Sequence, residues 1–232
     1  MSRRENSLVK PKKIKGLKSK KIVYCPVDSG SNILRKTLKR KAVKEINLGY
    51  GRIFILKDKF VLYQSVGAPA AVLCLESLIA SGAKEIIMLG FCGSLNPEYA
   101  MKSAVSISRA LSEEGTSRHY FPQRKYFKPS PGLKNRIEKI LHFHHLKFLE
   151  GSLVSTDAPY RETKTWLEHK KRKGIHLVDM ETSAVFSLAE FWNIEAAALM
   201  IVSDEIGIEE WKQAFSDPGL DKKIEKYFLP FI

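Results

Sequence analysis

Strands and helices are predicted to alternate along this chain, and this alternation constrains its fold more than any other feature. Strands are predicted at 22–25, 52–56, 60–63, 85–89, 104–110, 148–154 and 196–202, and helices at 33–43, 69–82, 133–141, 162–173, 182–191 and 219–227. The stretch 196–202 has no polar residue, which is typical of a strand buried on both faces. Strands of this kind separated by helices predict an α/β fold whose sheet is covered on both faces.

The length and the charge distribution bound the domain organisation. The chain has 232 residues, which suits one large domain. Its formal net charge is +14, and much of the excess lies in the Lys/Arg-rich start. We expect residues 1–20 to form a flexible basic arm and residues 21–232 to form a single domain. Nucleic-acid binding is the other interpretation of the charge, but no recognition motif accompanies it, so nucleic acid is not an expected partner.

Several classes of site and location are disfavoured by the remaining composition. The three cysteines are widely spaced in apolar contexts, which is typical of reduced thiols and of a cytoplasmic protein. No apolar run approaches the roughly 18 residues of a membrane span, so no membrane association is expected. His142, His144 and His145 are close in sequence, but no cysteine or carboxylate completes a ligand set. Neither a metal nor a cofactor is predicted.

Two carboxylates stand at the edges of sequence that is otherwise expected to be buried. Glu181 precedes the predicted helix 182–191, and Asp204 follows the apolar run 196–202. Buried carboxylates are costly to desolvate without partners, and open α/β sheets bind ligands at the carboxyl ends of their strands. The two residues are therefore candidates for a binding site. The alternative is that each caps a helix that follows it.

Four other candidate residues lie in connections that follow predicted strands, namely Gly67, Gly90, His119 and Tyr160. Gly67 precedes a helix whose N-terminus suits an anion, and Gly90 begins a turn where a ligand can approach the backbone. His119 lies in a polar loop, and Tyr160 follows the strand 148–154, where its ring would stack on a flat heterocycle. The alternatives are ordinary tight turns for the glycines, a surface position for His119 and core packing for Tyr160.

In series, these pieces resemble the nucleoside phosphorylase family, which includes purine nucleoside phosphorylases, uridine phosphorylases and related nucleosidases. The resemblance covers residues 21–205 and rests on the stretches 65–69, 87–94, 114–120, 155–160, 178–181 and 202–204. It implies a three-layer α/β/α sandwich around a central mixed sheet. It also implies a homo-oligomer, either a dimer, a trimer or a hexamer, that cleaves the N-glycosidic bond of a purine or uridine-like nucleoside.

The same resemblance implies roles for four side chains. Glu181 would accept hydrogen bonds from the ribose hydroxyls, and Met180 would pack against the sugar. Asp204 would be the general acid toward a departing purine base, and Tyr160 would contact that base. The transition state of glycosidic cleavage resembles an oxocarbenium ion, so a carboxylate close to the sugar stabilises it.

The chain departs from the family at the phosphate site. Where the family reads Gly-Asp-Pro-x-Arg, residues 27–31 read Val-Asp-Ser-Gly-Ser. A second phosphate arginine of the family is Met88 here, and a small hydroxyl residue is Phe91. The candidate phosphate contacts that remain are Arg52, Gly67 and Gly90. Without its bidentate arginines, phosphate as a co-substrate is expected to be held poorly.

Three functions are consistent with this pattern. The first is a nucleoside-cleaving enzyme that uses phosphate or water, with Asp28 the nearest candidate to activate a water. The second is a non-catalytic relative that binds a nucleoside. The third is a basic protein associated with nucleic acid. The presence of Met180, Glu181 and Asp204 favours the first two functions over the third.

Overall fold

The computed structural model describes residues 7–14, 20–207 and 210–232. Its strands are β1 (Lys21–Cys25), β2 (Lys44–Asn47), β3 (Arg52–Ile55), β4 (Phe60–Tyr63), β5 (Glu85–Ser94), β6 (Ala104–Ser112), β7 (Tyr126–Phe127), β8 (Leu149–Ser155), β9 (Leu177–Asp179), β10 (Glu195–Ile206) and β11 (Trp211–Gln213). Its helices are α1 (Ile33–Lys41), α2 (Ala68–Ala80), α3 (Ser117–Tyr120), α4 (Pro131–Phe143), α5 (Lys164–Arg172), α6 (Thr182–Trp192) and α7 (Pro218–Tyr227). Two short 3₁₀ helices, Pro159–Arg161 and Leu229–Phe231, complete the elements described.

These strands form one mixed sheet, part of which closes on itself. β10 pairs in parallel with β5 and antiparallel with β6. β6 pairs with β8, β8 with β9, and β9 with β5, so the pairings return to their starting strand. From β5 the sheet extends outward through β1, β4, β3 and β2. The closed part brings the ends of β5, β9 and β10 next to one another.

Helices cover both faces of the sheet because its buried strands are apolar on both sides. In β1, Ile22 and Tyr24 join a core cluster with α2 and α6, whereas Val23 and Cys25 join a second cluster with α1, α4 and α7. This alternation follows from the two-residue period of a strand. The α/β/α sandwich around a central mixed sheet is therefore confirmed.

The bounds of several elements differ from the prediction. β5 continues to Ser94, so Gly90 lies within a strand and not in a turn. The strand continues because β10 pairs with it along its length and β9 pairs with its end, and this tertiary pairing outweighs the local glycine signal. β2 was not predicted, since it is a mostly exposed strand without an apolar face. The polar loop 112–121 contains the short helix α3.

The predicted basic arm lies only partly within the described residues. Residues 1–6 and 15–19 of the arm are outside them. In the described part, the N–H of Ile14 donates to Ser81 Oγ at 2.9 Å, beside the end of α2, and the Ile14 side chain packs against the core. Across the described ranges, no helix has the length and apolar character needed to cross a membrane.

Candidate active site

A cavity of about 470 Å³ lies where β5, β9 and β10 end. Its lining residues are Val27, Val66, Phe91, Cys92, Gly93, Pro159, Tyr160, Glu162, Val178, Asp179, Met180, Glu181, Ser203, Asp204, Ile206, Gly207, Glu210, Trp211 and Phe215. This volume suits a small-molecule ligand. Four residues predicted from the sequence, Tyr160, Met180, Glu181 and Asp204, line the same cavity. They come from three separate parts of the chain that the closed part of the sheet brings together.

Glu181 lies at the junction of β9 and α6 and is only 4% exposed. It occupies the N-cap position of α6, but its side chain makes no hydrogen bond to the helix, so the capping alternative is wrong. Instead, the N–H of Gly67 donates to Glu181 Oε1 at 2.5 Å. Asp179 caps the helix in its place, since its Oδ2 accepts from the N–H of Thr182 at 2.9 Å. Glu181 is therefore left to line the cavity beside Met180.

Asp179 and Glu181 are two buried carboxylates on one wall of the cavity. Burial raises the pKa of both side chains. Hydrogen bonds from Ser155 and Thr182 counteract this effect on Asp179, whereas the nearby Asp179 charge raises the pKa of Glu181 further. Asp179 therefore ionises more readily, and Glu181 keeps its proton to a higher pH. In either state Glu181 can bond to a sugar hydroxyl, because a hydroxyl both donates and accepts.

Asp204 lies inside β10 and not before a helix, so the capping alternative is wrong for this residue as well. The pairing of β10 with β5 shifts register between Val202 and Asp204, and such a bulge re-aims side chains. Asp204 Oδ1 accepts from Ser203 Oγ at 2.6 Å, and Oδ2 accepts from Trp211 Nε1 at 2.8 Å. A Cβ on Gly93 would lie 3.0 Å from Oδ2, so a glycine there leaves room for the carboxylate.

Aromatic side chains pack around residues 27–31, the segment that the resemblance pairs with the family's phosphate loop. The Phe91 ring meets the Phe215 ring edge-on at 5.9 Å and lies 6.0 Å from the Phe228 ring. The N–H of Gly30, within residues 27–31, donates to the carbonyl oxygen of Phe215 at 2.9 Å. This backbone N–H is therefore already bonded within the chain. Phe91 and Phe215 both line the cavity at this end.

Asp28 makes its contacts inside the protein and does not line the cavity. Its Oδ2 accepts from the Tyr63 hydroxyl at 3.0 Å and from the N–H of Arg35 at 3.0 Å. Its Oδ1 accepts from the N–H of Ser29 at 2.8 Å. These bonds use both carboxylate oxygens to hold the start of α1 against β4. They assign a structural role to the residue that the sequence offered as a base.

The three candidate phosphate contacts are not among the lining residues of the cavity. Arg52, on β3, forms an ion pair with Glu45 at 2.8 Å, and the Gly67 N–H is bonded to Glu181. Gly90 is within β5, where a Cβ would lie 3.0 Å from the sulfur of Met200. The sequence placed these residues near phosphate; the structure does not bring them together on the cavity wall.

Tyr160 and His119 differ in their relation to the cavity. Tyr160 is 95% exposed at the rim, so the core-packing alternative is wrong and its ring is free to contact a ligand. His119 is exposed on α3 and does not line the cavity. The loop before α3 is held by Glu114, which accepts from the N–H of Thr116 at 2.5 Å and from Ser183 Oγ at 2.9 Å. This loop therefore braces α6.

Several residues of the site were not predicted from the sequence, and two of them add carboxyl groups to the cavity wall. The missed side chains that line the cavity include Glu162, Glu210, Trp211 and Phe215. Among the described residues, the lining has five carboxyl groups, those of Glu162, Asp179, Glu181, Asp204 and Glu210, and no lysine, arginine or histidine. The cavity is thus acidic, although the chain as a whole has a formal net charge of +14. In the described part of the chain, no cluster of His, Cys, Asp and Glu is arranged to hold a metal ion.

Comparisons with known proteins identify the family of this chain. Residues 32–224 match the family model described as the phosphorylase superfamily. An uncharacterized protein of Acanthamoeba polyphaga mimivirus is 27% identical over 213 residues, covering 88% of this chain and 83% of the relative. A DeoD-type purine nucleoside phosphorylase of Caldanaerobacter subterraneus subsp. tengcongensis is 26% identical over 188 residues, covering 76% and 81%. The structure of a futalosine hydrolase mutant of Helicobacter pylori has a TM-score of 0.71 at 16% identity, covering 92% of this chain and 96% of the other.

The fold and the cavity define an α/β protein with a cavity of small-molecule size at the ends of its central strands. The family model spans most of the chain, and the protein belongs to the phosphorylase superfamily. The resemblance to nucleoside phosphorylases and nucleosidases is thereby confirmed.

Proposed function

We propose that this protein cleaves the N-glycosidic bond of a purine nucleoside and that water, not phosphate, accepts the sugar. The observation that carries the proposal is the packing of Phe91 against Phe215, together with the hydrogen bond from Gly30 to Phe215. These contacts occupy the corner at which the family resemblance implies phosphate. A relative named as a purine nucleoside phosphorylase supports the purine, and a hydrolase with the same fold supports water as the acceptor.

The charge of the cavity also favours a neutral acceptor. Two like unit charges about 8 Å apart repel by about 2 kcal/mol at an effective dielectric constant of about 20. A phosphate dianion would meet the carboxylates of Asp179, Asp204 and Glu210, and no cationic side chain among the described lining residues compensates for them. Water carries no such penalty. The same negative surroundings stabilise the positive charge that develops on the sugar as the bond to the base breaks.

Each end of the proposed nucleoside has its own contacts in this arrangement. Glu181 and Met180 hold the sugar, and the hydrogen bond from the Gly67 N–H to Oε1 fixes the Glu181 side chain on the cavity wall. Tyr160 and Asp204 are assigned to the base, and Asp204 is fixed by Ser203 and by Trp211. Groups that are held before the ligand arrives lose little entropy on binding, which favours catalysis by positioning.

A panel of purine and pyrimidine nucleosides, incubated with the full chain in the presence and absence of inorganic phosphate, tests the proposal. We expect release of a purine base at the same rate in both conditions, with the free sugar as the second product. Release of base that requires phosphate, or formation of a sugar phosphate, would refute the assignment of water. Release of pyrimidines alone would refute the assignment of the base.

A non-catalytic nucleoside-binding protein is the second candidate function. It is favoured by the contacts of Asp28, whose two oxygens are used to hold α1 and β4 and are not presented to a water in the cavity. The same panel separates the two candidates when binding is measured by calorimetry beside turnover. Binding of a nucleoside without any release of base would support this second function.

A further inference from the structure

Glu162 lies on the cavity wall between the 3₁₀ helix Pro159–Arg161 and α5, outside the stretches on which the family resemblance rests. It is half-buried, and its carboxyl group has no hydrogen-bond or ion-pair partner within the described ranges. A carboxyl group that lines a cavity and has no partner among the described residues is available to a ligand. Glu162 shares this part of the wall with Asp204 and Trp211.

Asp204, in contrast, already uses both of its oxygens. Oδ1 accepts from Ser203 at 2.6 Å, and Oδ2 accepts from the Trp211 indole at 2.8 Å. Both donors are fixed in the structure and point their protons at the carboxylate, so Asp204 is arranged as an acceptor. A residue that must release a proton to a departing base is better placed without such donors.

The charges around Glu162 favour the form that carries a proton. Burial and, after it, the charge of Asp204 raise the pKa of Glu162 to about 7. Other charged residues lie near this wall. Glu210 is exposed on the rim and lies 3.5 Å from Lys212, and Arg161 and Lys164 are exposed on either side of Glu162 along the chain. Asp179 and Glu181 line the same cavity on the β9–α6 wall.

We propose that Glu162, and not Asp204, is the catalytic residue that donates a proton to the departing base, and that Asp204 is the fixed negative neighbour that keeps this proton on Glu162. The inference rests on the proposed function of the cavity. In the step, the bond between the sugar carbon and the base nitrogen breaks, and its electron pair stays on the base. The Glu162 proton moves to a ring nitrogen of the base. The oxygen of a water bonds to the sugar carbon, and a proton of that water returns to the Glu162 carboxylate.

The pH dependence of the reaction and of binding tests this assignment. Because the protonated form of Glu162 is the donor, turnover of adenosine should be high at pH 6 and fall about tenfold per pH unit above 7. Binding of adenosine, measured by calorimetry, should weaken over the same range. Glu162→Gln keeps an N–H donor but has no proton to transfer. Its turnover should fall at least about 100-fold, and its adenosine affinity should not change with pH.

Two further variants make the test specific. Glu168→Gln changes an exposed glutamate of α5 that does not line the cavity, so its rates and pH profile should match those of the unmodified chain. Asp204→Asn removes the neighbouring charge, so the alkaline fall should move to lower pH by about one unit. An unchanged midpoint in Asp204→Asn would overturn the role given to that charge.

The outcomes separate this inference from the proposed function. Turnover that persists in Glu162→Gln with the same alkaline fall would overturn the inference and leave hydrolysis standing, since the fall would then belong to Glu181. Adenosine binding that weakens with pH in the unmodified chain but not in Glu162→Gln, without any turnover, would refute hydrolysis and with it the catalytic role of Glu162, and would leave only a hydrogen bond from Glu162 to the base. Failure to bind or cleave adenosine at any pH would overturn both.

Discussion

Replacement of Phe91 with alanine measures how firmly the packed Phe91 ring closes the corner at which the family resemblance implies phosphate. Phe91 is 8% exposed, and its ring contacts the Phe215 and Phe228 rings. A buried Phe→Ala substitution typically costs about 3–5 kcal/mol, and each aromatic contact contributes about 0.5–1.5 kcal/mol beyond the buried area. Because one side of the ring faces the cavity, we expect a loss of about 3 kcal/mol in the free energy of unfolding. This is a large fraction of the stability of an ordinary domain.

Urea denaturation followed by circular dichroism measures this loss, and the chain supplies a matched control. Phe143, at the end of α4, is 78% exposed, so Phe143→Ala should change the free energy of unfolding by no more than about 0.5 kcal/mol. Both variants should keep the slope of the unfolding free energy against urea concentration. If Phe91→Ala is no more destabilising than Phe143→Ala, Phe91 is not packed as the structure has it, and the corner is open to a ligand.

Two further predictions concern the sugar site and the loop that braces it. Glu181→Gln should reduce base release at least about 100-fold, because an amide cannot ionise to stabilise the positive charge that develops on the sugar, whereas His119→Ala should stay within about twofold; equal activity in Glu181→Gln would remove this residue from the mechanism. Burial raises the pKa of Glu114, but hydrogen bonds from Ser117, Ser112 and Ser183 outweigh it and lower the pKa below its usual 4.5. Because its pKa is lower in the folded state, ionised Glu114 stabilises the fold above its usual pKa, and this stabilisation is lost as the pH falls. The free energy of unfolding should therefore fall less in Glu114→Gln than in the unmodified chain between about pH 5 and pH 3. Urea titrations across this range measure how the free energy of unfolding changes with pH, and the same change in both chains would contradict the role of Glu114.

Much of the fold was predictable because its signals are local. The apolar run 196–202 predicted the core of β10, and the predicted helix 219–227 matches α7, which Asp217 caps by accepting a hydrogen bond from the Gly219 N–H at 2.6 Å. The continuation of β5 beyond Gly90 was not predictable, because pairing with β9 and β10 decides it. The strand β2 was not predictable either, because it is mostly exposed and its place in the sheet depends on its pairing with β3.

The candidate site was also predictable only in part. The sequence by itself determined the fold class, the family resemblance and the positions of Met180 and Glu181, since a short motif before a helix fixes them. Only the tertiary structure decided which side chains line the cavity. Glu162 and Trp211 reach the cavity because closure of the sheet sets distant segments side by side, and the hydrogen bond from Trp211 changes what Asp204 can do. Contacts between residues far apart in the chain leave no local pattern, so their effect on charge and proton transfer appears only in the folded protein.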